Sequence, residues 1–259
     1  MPEVLFVLEG DDPGAALLAA AFRRHGWRAR LLDVRFTRPT LDACAEPAGA
    51  VRIDGNGDAP DIVINRTATS GLGLPGPAAL ERQLPLTWSG RHLAAREEQG
   101  LLLAVFDCWD RDSRLYNPVR AQDRRLVAAL PTRVDLPPDG RRGACWIVDD
   151  TIVAACAEQD GGGWRQVAVS AATAELARGV AATSDLRLGQ VDCWQQRGGS
   201  TIVTDWSPIP PFHTLRARTG IDVAALAVAA LVGEPVAAAP PFLAADLESN
   251  LLAPPSARP

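Results

Sequence analysis

The first 33 residues constrain the fold most. Glu3-Val4-Leu5-Phe6-Val7-Leu8 is a short, continuous apolar run of the kind that forms a buried strand. Gly10 to Gly14 supply a turn that also opens a helix. Asp12 has the side chain of an N-cap, and Pro13 suits the first helical position, where its missing N–H costs nothing. The helix is expected to run to about His25, with Gly26 as its stop. Residues 28–33 then return as a second strand. Strand, helix, strand over so short a span predicts two parallel strands joined by a right-handed crossover, and so an α/β fold.

The rest of the chain extends this pattern. Residues 51–53 and 61–64 read as further short strands, and Thr67 to Gly76 as a Gly-, Ser- and Thr-rich loop. A helix is expected from about Arg91 to Cys108, with Leu101, Leu102, Leu103, Val105 and Phe106 on its buried side. Another is expected over 118–129. The stretch 131–143 (PTRVDLPPDGRRG) is turn-rich and marks a domain boundary. A hairpin follows: Ala144 to Val148, the turn Asp149-Asp150, then Thr151 to Ala157. Gly161-Gly162-Gly163 breaks it off. A helix over 172–183 starts near Ser170 and carries Glu175 in its first turn. Two strands, 188–194 and 200–205, flank the turn Gln196 to Gly199, and their apolar alternation is imperfect. A last helix is expected over 220–232. The division that results is 1–115, 116–143 as linker helix and turns, 144–234, and a Pro/Ala-rich tail from 235 to 259.

Composition narrows the chemistry. The chain has no lysine, so all 26 of its Lys/Arg residues are arginine. A Schiff base or a compact ammonium is therefore outside its repertoire. A net charge of −5 argues against a non-specific nucleic-acid binder, which needs a basic face. Cys44, Cys108, Cys145, Cys156 and Cys193 form no CxxC pair, so neither a zinc site nor a redox motif is signalled. They read as buried thiols of a reducing compartment. The N-terminus shows no secretory pattern, and the longest apolar run, Val223 to Val232, is about half a membrane span and reads as a buried helix. Together these features predict a cytoplasmic protein with neither a membrane nor a nucleic acid as partner.

The most informative stretch is 186–232. It reads strand, Asp192, tight turn, strand, Asp205, then Trp206-Ser207-Pro208-Ile209-Pro210-Pro211-Phe212 and Thr219-Gly220-Ile221-Asp222. Adjacent antiparallel strands that each end in a carboxylate can set both acids around one divalent cation, and hard oxygen donors suit Mg²⁺. This segment resembles the C-terminal core of the ATP-grasp carboxylate–amine ligases, in their glutamate-ligase-like and ribosomal-peptide-maturase branches. In that likeness Asp192 stands at the first metal ligand. Asp205-Trp206-Ser207-Pro208 stands at the family's Glu-x-Asn-Pro, so Ser207 takes the place of the Asn ligand. Gly163-Trp164-Arg165 resembles the maturases' Asp-Trp-Arg element and offers Arg165 to an anionic group. Leu115-Tyr116-Asn117-Pro118 resembles the Asn-Pro turn ahead of the ATP-binding domain, and the β-α-β start resembles the family's Rossmann-like pre-ATP-grasp domain.

The resemblance implies ATP and Mg²⁺ as cofactors and a peptide substrate or a partner enzyme as partner, and a homodimer stays open. The departures imply something else. Asp205 is shorter than the family's Glu, and Ser207 is a weaker donor than Asn. Only about 25 residues separate Pro118 from Ala144, against the dozens that a multi-stranded lid needs. The lid's phosphate-binding lysine has no counterpart. Three readings follow: a non-catalytic ATP-grasp-like binding or partner subunit in peptide modification, a divergent Mg-ATP-dependent ligase using Arg for Lys, or an ATP-independent enzyme reusing the cleft. Asp192 and Asp205 could also be plain strand-end acids, and His213 is either a general base or substrate ligand or an exposed or hydrogen-bonded loop histidine. Arg216 and Arg218 are either surface charge or an anion clamp at the start of the last helix.

Overall fold

The computed structural model describes residues 1–8, 10–33, 41–42, 52–53, 60–67, 106–107, 109–110, 115–118, 136–159, 163–196 and 200–236. Its first sheet is built as the opening residues predict. Strand β1 (Glu3–Leu8) leads into helix α1 (Pro13–Arg24) and back through β2 (Arg28–Asp33). Asp12 caps α1, its side chain accepting from the Ala15 N–H at 3.0 Å, and Gly26 takes φ +76° just past the helix end. Strands β3 (Leu41–Asp42) and β4 (Arg52–Ile53) form a small ribbon of their own. Then β5 (Ile62–Arg66) and β6 (Leu115–Tyr116) complete a four-stranded parallel sheet in the order β2-β1-β5-β6. Residues of β1 and β5 are buried on both faces, as expected for central parallel strands. Phe6 meets Phe22 of α1 edge-on at 6.0 Å.

The second sheet is antiparallel. Strands β7 (Arg141–Val148), β8 (Thr151–Glu158), β9 (Trp164–Gln166), β10 (Leu188–Gln195) and β11 (Thr201–Ser207) lie in the order β11-β10-β7-β8-β9. Helix α2 (Ala171–Ser184) is capped by Ser170, whose hydroxyl accepts from the Thr173 N–H. It packs Ala177 and Ala181 with Cys145, Ile147, Val191 and Trp206 on one face of the sheet. The opposite face, carrying Ala144, Trp146 and Val148, joins β1, β5, α1 and the last helix in a single core.

Several expectations shift. Tyr116 pairs into the first sheet, and β7 starts at Arg141 rather than Ala144. Arg141 and Arg142 fall in the stretch expected to be turn-rich, yet their backbones pair with Gln195 and Trp194. Glu175 lies one residue beyond the first turn of α2. The helix expected over 220–232 forms as Val223–Leu231 (α4), and an unexpected helix, Phe212–Thr219 (α3), precedes it. Gly220, at φ +71°, ends α3, and Asp222 caps α4 through the Ala225 N–H. Prolines 208, 210 and 211 suggest turn alone, but Pro211 occupies the position before the helix, where proline is harmless. Buried Phe212 then anchors the first turn. The imperfect alternation of β10 and β11 has a local cause. Asp192 pairs with Asp205 but Cys193 with Val203, so Thr204 is an extra, bulged residue. The helix over 118–129, almost all of the helix over 91–108, any shortened lid and nearly all of the 235–259 tail lie outside the described residues.

The two sheets are joined by buried polar contacts. Arg66, at the end of β5 and with its side chain 1% exposed, binds Asp12 through two hydrogen bonds, Nε to Oδ2 at 2.5 Å and Nη2 to Oδ1 at 3.0 Å. Its Nη2 also reaches the Pro210 carbonyl at 3.4 Å, and its guanidinium stands 5.5 Å from the Phe212 ring centre. Gly14 makes room, since a Cβ there would sit 2.6 Å from Nη2. Asn117, fully buried at φ +59°, donates to the carbonyls of Leu188 (2.6 Å) and Pro208 (2.9 Å) and accepts from the Leu188 N–H (3.0 Å). Tyr116 donates to Asp149 at 3.1 Å beneath the Arg187 guanidinium, 4.2 Å from its ring centre.

Candidate functional site

Over β10 and its neighbours β7 and β11, a cleft of about 670 Å³ opens. Asp192 and Asp205, Gln190, Arg142, Trp164 and Trp194 are among the residues that line it, with Thr214, Leu215 and Arg218 of α3 opposite. Volumes of this order suit a small-molecule ligand. The Leu136–Gly140 turn forms one rim. Trp194 donates its indole N–H to the Pro137 carbonyl at 3.0 Å, and its ring lies so close over Gly140 that any Cβ there would collide with it.

The strand register puts Asp192 directly opposite Asp205. Like charges facing each other across antiparallel strands repel. Burial lifts the Asp192 carboxyl above the usual aspartate range and Asp205 adds to the lift, while a hydrogen bond from Gln190 and the charge of Arg142 hold it partly back. Gln190 Nε2 donates to Asp192 Oδ1 at 2.6 Å, and Gln190 Oε1 accepts from the Trp146 indole at 3.1 Å. Asp205 Oδ1 accepts the Trp206 backbone N–H at 2.9 Å.

Most of the remaining candidates fall elsewhere. Ser207 does not line the cleft, and its hydroxyl accepts the Ile209 N–H at 3.2 Å, which stabilises the turn after β11. Arg165 does not line it either. Trp164 does, and neighbouring residues of a strand point to opposite faces. Arg216 and Arg218 are not at a helix start but in the last turn of α3, where the helix dipole favours cations. Arg216 stands 3.6 Å from Asp222, so the helix N-terminus expected to aid its anion clamp is already capped by an acid. Arg218 reaches the cleft, whereas His213 is exposed on α3. Cys145 and Trp146 lie on opposite faces of β7, in separate clusters, so their adjacency makes no joint site. Cys145, Cys156 and Cys193 are buried free thiols, and a hydrogen bond with Cys193 followed by burial pushes the Cys145 thiol up.

Sequence reasoning did not single out Arg142 or Gln190. Both follow from register. Gln190 is two residues before Asp192 on the same strand face, and Arg142 is two before Ala144, the residue paired with Asp192. The cation that the fold family implies is Mg²⁺. Mg²⁺ needs one or two carboxylates plus phosphate and water, and Asp192 with Asp205 meets that need without Ser207. Among the described residues no group of three or more His, Cys, Asp or Glu could hold a metal by itself. No helix there is long and apolar enough to cross a membrane.

No protein-family model and no curated protein matches the sequence. Solved structures do. The ATP-grasp ligase PsnB, complexed with minimal precursor, Mg and ADP, matches with a TM-score of 0.67 at 17% identity, over 88% of this chain and 96% of that one. The macrocyclase MdnC of Microcystis aeruginosa MRC, bound with precursor peptide MdnA, matches with 0.63 at 15%, over 90% and 100%. A Chryseobacterium gregarium RiPP-associated ATP-grasp ligase, in complex with ADP and a leader and core peptide, matches with 0.64 at 9%, over 94% and 100%. A parallel four-stranded sheet, an antiparallel five-stranded sheet and a cleft floored by two facing aspartates therefore assemble, in this chain, the fold of the ATP-grasp ligases in the form that PsnB and the precursor-peptide macrocyclases take.

Proposed function

We propose that this chain binds a precursor peptide in a peptide-modifying system, keeps a two-aspartate cation site, and does not by itself turn over ATP. The observation that carries the reading is the lining of the cleft. Asp192 and Asp205 are set for one cation, yet the cationic side chains facing them are the exposed arginines Arg142 and Arg218. Phosphoryl transfer depends almost wholly on positioning and electrostatics. An arginine fork is bulkier than an ammonium and holds a phosphate differently. Loss of one main electrostatic contact costs two to three decades in rate, roughly 3–4 kcal/mol. Binding of precursor peptides by the matched macrocyclase and ligases supports the choice of ligand class.

The test is thermal unfolding with millimolar Mg-ATP and, separately, with small peptides encoded beside the gene. A ligand at a hundredfold excess over its Kd raises stability by about 2.7 kcal/mol. Stabilisation by a peptide with no ADP release from Mg-ATP supports the proposal. Peptide-dependent ADP release in the isolated chain would refute its non-catalytic part.

The second reading, a divergent ligase, is favoured by one observation: Arg142 lines the same cleft as Asp192, and its charge offsets part of the lift on that carboxyl, so it could also meet a metal-bound phosphate. In that case Asp192 and Asp205 hold Mg²⁺, which neutralises phosphate charge. Arg142 and Arg218 bind the phosphate oxygens, and Trp164 and Trp194 wall the cleft against water.

A further inference from the structure

We infer that Gln190 is a positioning residue for the cation site, locked by Trp146 so that Asp192 offers a single oxygen, and that the cleft consequently prefers Mg²⁺ or Mn²⁺ to Ca²⁺. The inference rests on the two-aspartate cation site proposed above. An indole N–H can only donate, so the 3.1 Å contact from Trp146 makes Oε1 the Gln190 atom that accepts. The other end of the amide, Nε2, must then donate, and it does so to Asp192 Oδ1 at 2.6 Å. The amide cannot flip without setting two donors, Nε2 and the indole, against each other. Asp192 Oδ1 is thereby fixed as an acceptor, and the carboxylate is held in one orientation.

Register makes the relay compact. Trp146 pairs with Gln190 across β7 and β10, so the side chains stand side by side on one sheet face. Trp146 is buried in the shared core and cannot swing away. Among the described residues Asp192 Oδ2 has no hydrogen-bond partner, which leaves it the oxygen presented to a cation. Mg²⁺ accepts single-oxygen carboxylates in a near-octahedral shell, whereas Ca²⁺ takes more oxygens and readily uses both of one carboxylate. A partner that holds Oδ1 therefore works against Ca²⁺. Groups that hydrogen-bond a metal ligand commonly change metal affinity by about 10–100-fold when removed.

The experiment is Mn²⁺ binding to the full chain, read from loss of the free-ion electron paramagnetic resonance signal, with Mg²⁺ and Ca²⁺ as competitors. Wild type should bind Mn²⁺ and release it to Mg²⁺ more readily than to Ca²⁺. Gln190→Leu, close in size but unable to donate, should weaken Mn²⁺ by about tenfold or more and let Ca²⁺ compete as well as Mg²⁺. Gln190→Ala serves as a second variant should leucine disturb the sheet, and circular dichroism at the binding temperature selects the variant that is folded. Trp146→Phe should move both readouts in the same direction by less. Folded Gln190 variants that keep the wild-type Mn²⁺ affinity and Mg²⁺/Ca²⁺ order would overturn the positioning role alone. A wild type that takes up no Mn²⁺ would overturn the cation site and this inference with it.

Discussion

The molecule holds two aspartates under opposite regimes. Asp12 faces a guanidinium and Asp192 faces another carboxylate. Burial raises the pKa of both, yet at Asp12 the hydrogen bonds and charge of Arg66, with the Ala15 and Gly14 N–H groups, more than reverse it and hold the carboxyl below the usual aspartate range. At Asp192 nothing reverses it, and the carboxyl stays raised. In the first pair, Arg66 also reaches Pro210 and Phe212, which follow the second sheet. The second lines a cleft. Charge is compensated more completely at the seam than at the cleft, where Gln190 and Arg142 offset only part of the lift on Asp192, and a cation bound there would relieve what remains.

The contrast breaks most visibly at the seam. Arg66→Leu removes the partner of a partly buried carboxylate together with the contacts to Pro210 and Phe212. The expected loss is about 3–5 kcal/mol, the usual cost of stripping one member from a buried pair, measured by urea unfolding. Asp12→Asn in the same background should recover part of it, because no charge is then left stranded. If Arg66→Leu cost less than about 1 kcal/mol, the pair would behave like a surface ion pair and the comparison would lose its first half.

A smaller effect is expected at Asn117. Its three hydrogen bonds cross from the end of β6 to β10 and to the turn after β11, and its φ of +59° disfavours residues other than Gly and Asn. Asn117→Ala should cost about 2–4 kcal/mol through lost bonds and unpaired buried carbonyls. Asn117→Gly should cost about 1 kcal/mol less because it escapes the left-handed penalty. Equal losses for both variants would show that the backbone conformation contributes nothing.

The seam was the least legible part of the sequence, for a physical reason. Caps and strands are local: Asp12, Pro13, Gly26 and Ser170 announce their elements within a few residues, and all four stand where the pattern puts them. Arg66 meets its partners at separations of 54 and 144 residues. No period or motif carries that information. Asp12 shows the consequence, for it reads as a helix cap and is also half of the central ion pair. The cleft lay between these extremes. Two strands ending in acids suggested Asp192 and Asp205. Gln190 and Arg142 emerged only once register had fixed which side chains share a face. Helix α3 was hidden by its flanking prolines, and with it the wall that carries Thr214 and Arg218.

The smallest effect has the opposite sign. Asp192→Asn removes one of two facing acids and should stabilise the unliganded protein near neutral pH, by up to about 1 kcal/mol on the scale of cross-strand charge pairs. The pH dependence separates the two aspartates. A raised folded pKa means that the native state holds its proton longer than the unfolded chain does. The contribution of Asp192 is therefore fully present below the unfolded value, about 3.9, and is lost as pH rises through the folded value. For Asp12 the folded pKa is lowered, so its contribution is present above the unfolded value and disappears as pH falls through the folded one. In urea unfolding from pH 3 to 8, Asp192→Asn should gain on wild type with rising pH, and Asp12→Asn should lose ground. Saturating Mg²⁺ should reverse the order at position 192 alone, since a bound cation supplies the positive charge that Arg66 supplies at Asp12. If Asp192→Asn were the less stable protein at every pH without a cation, the pair would be held by contacts stronger than its repulsion, and the cleft would lose its claim to unfinished charge.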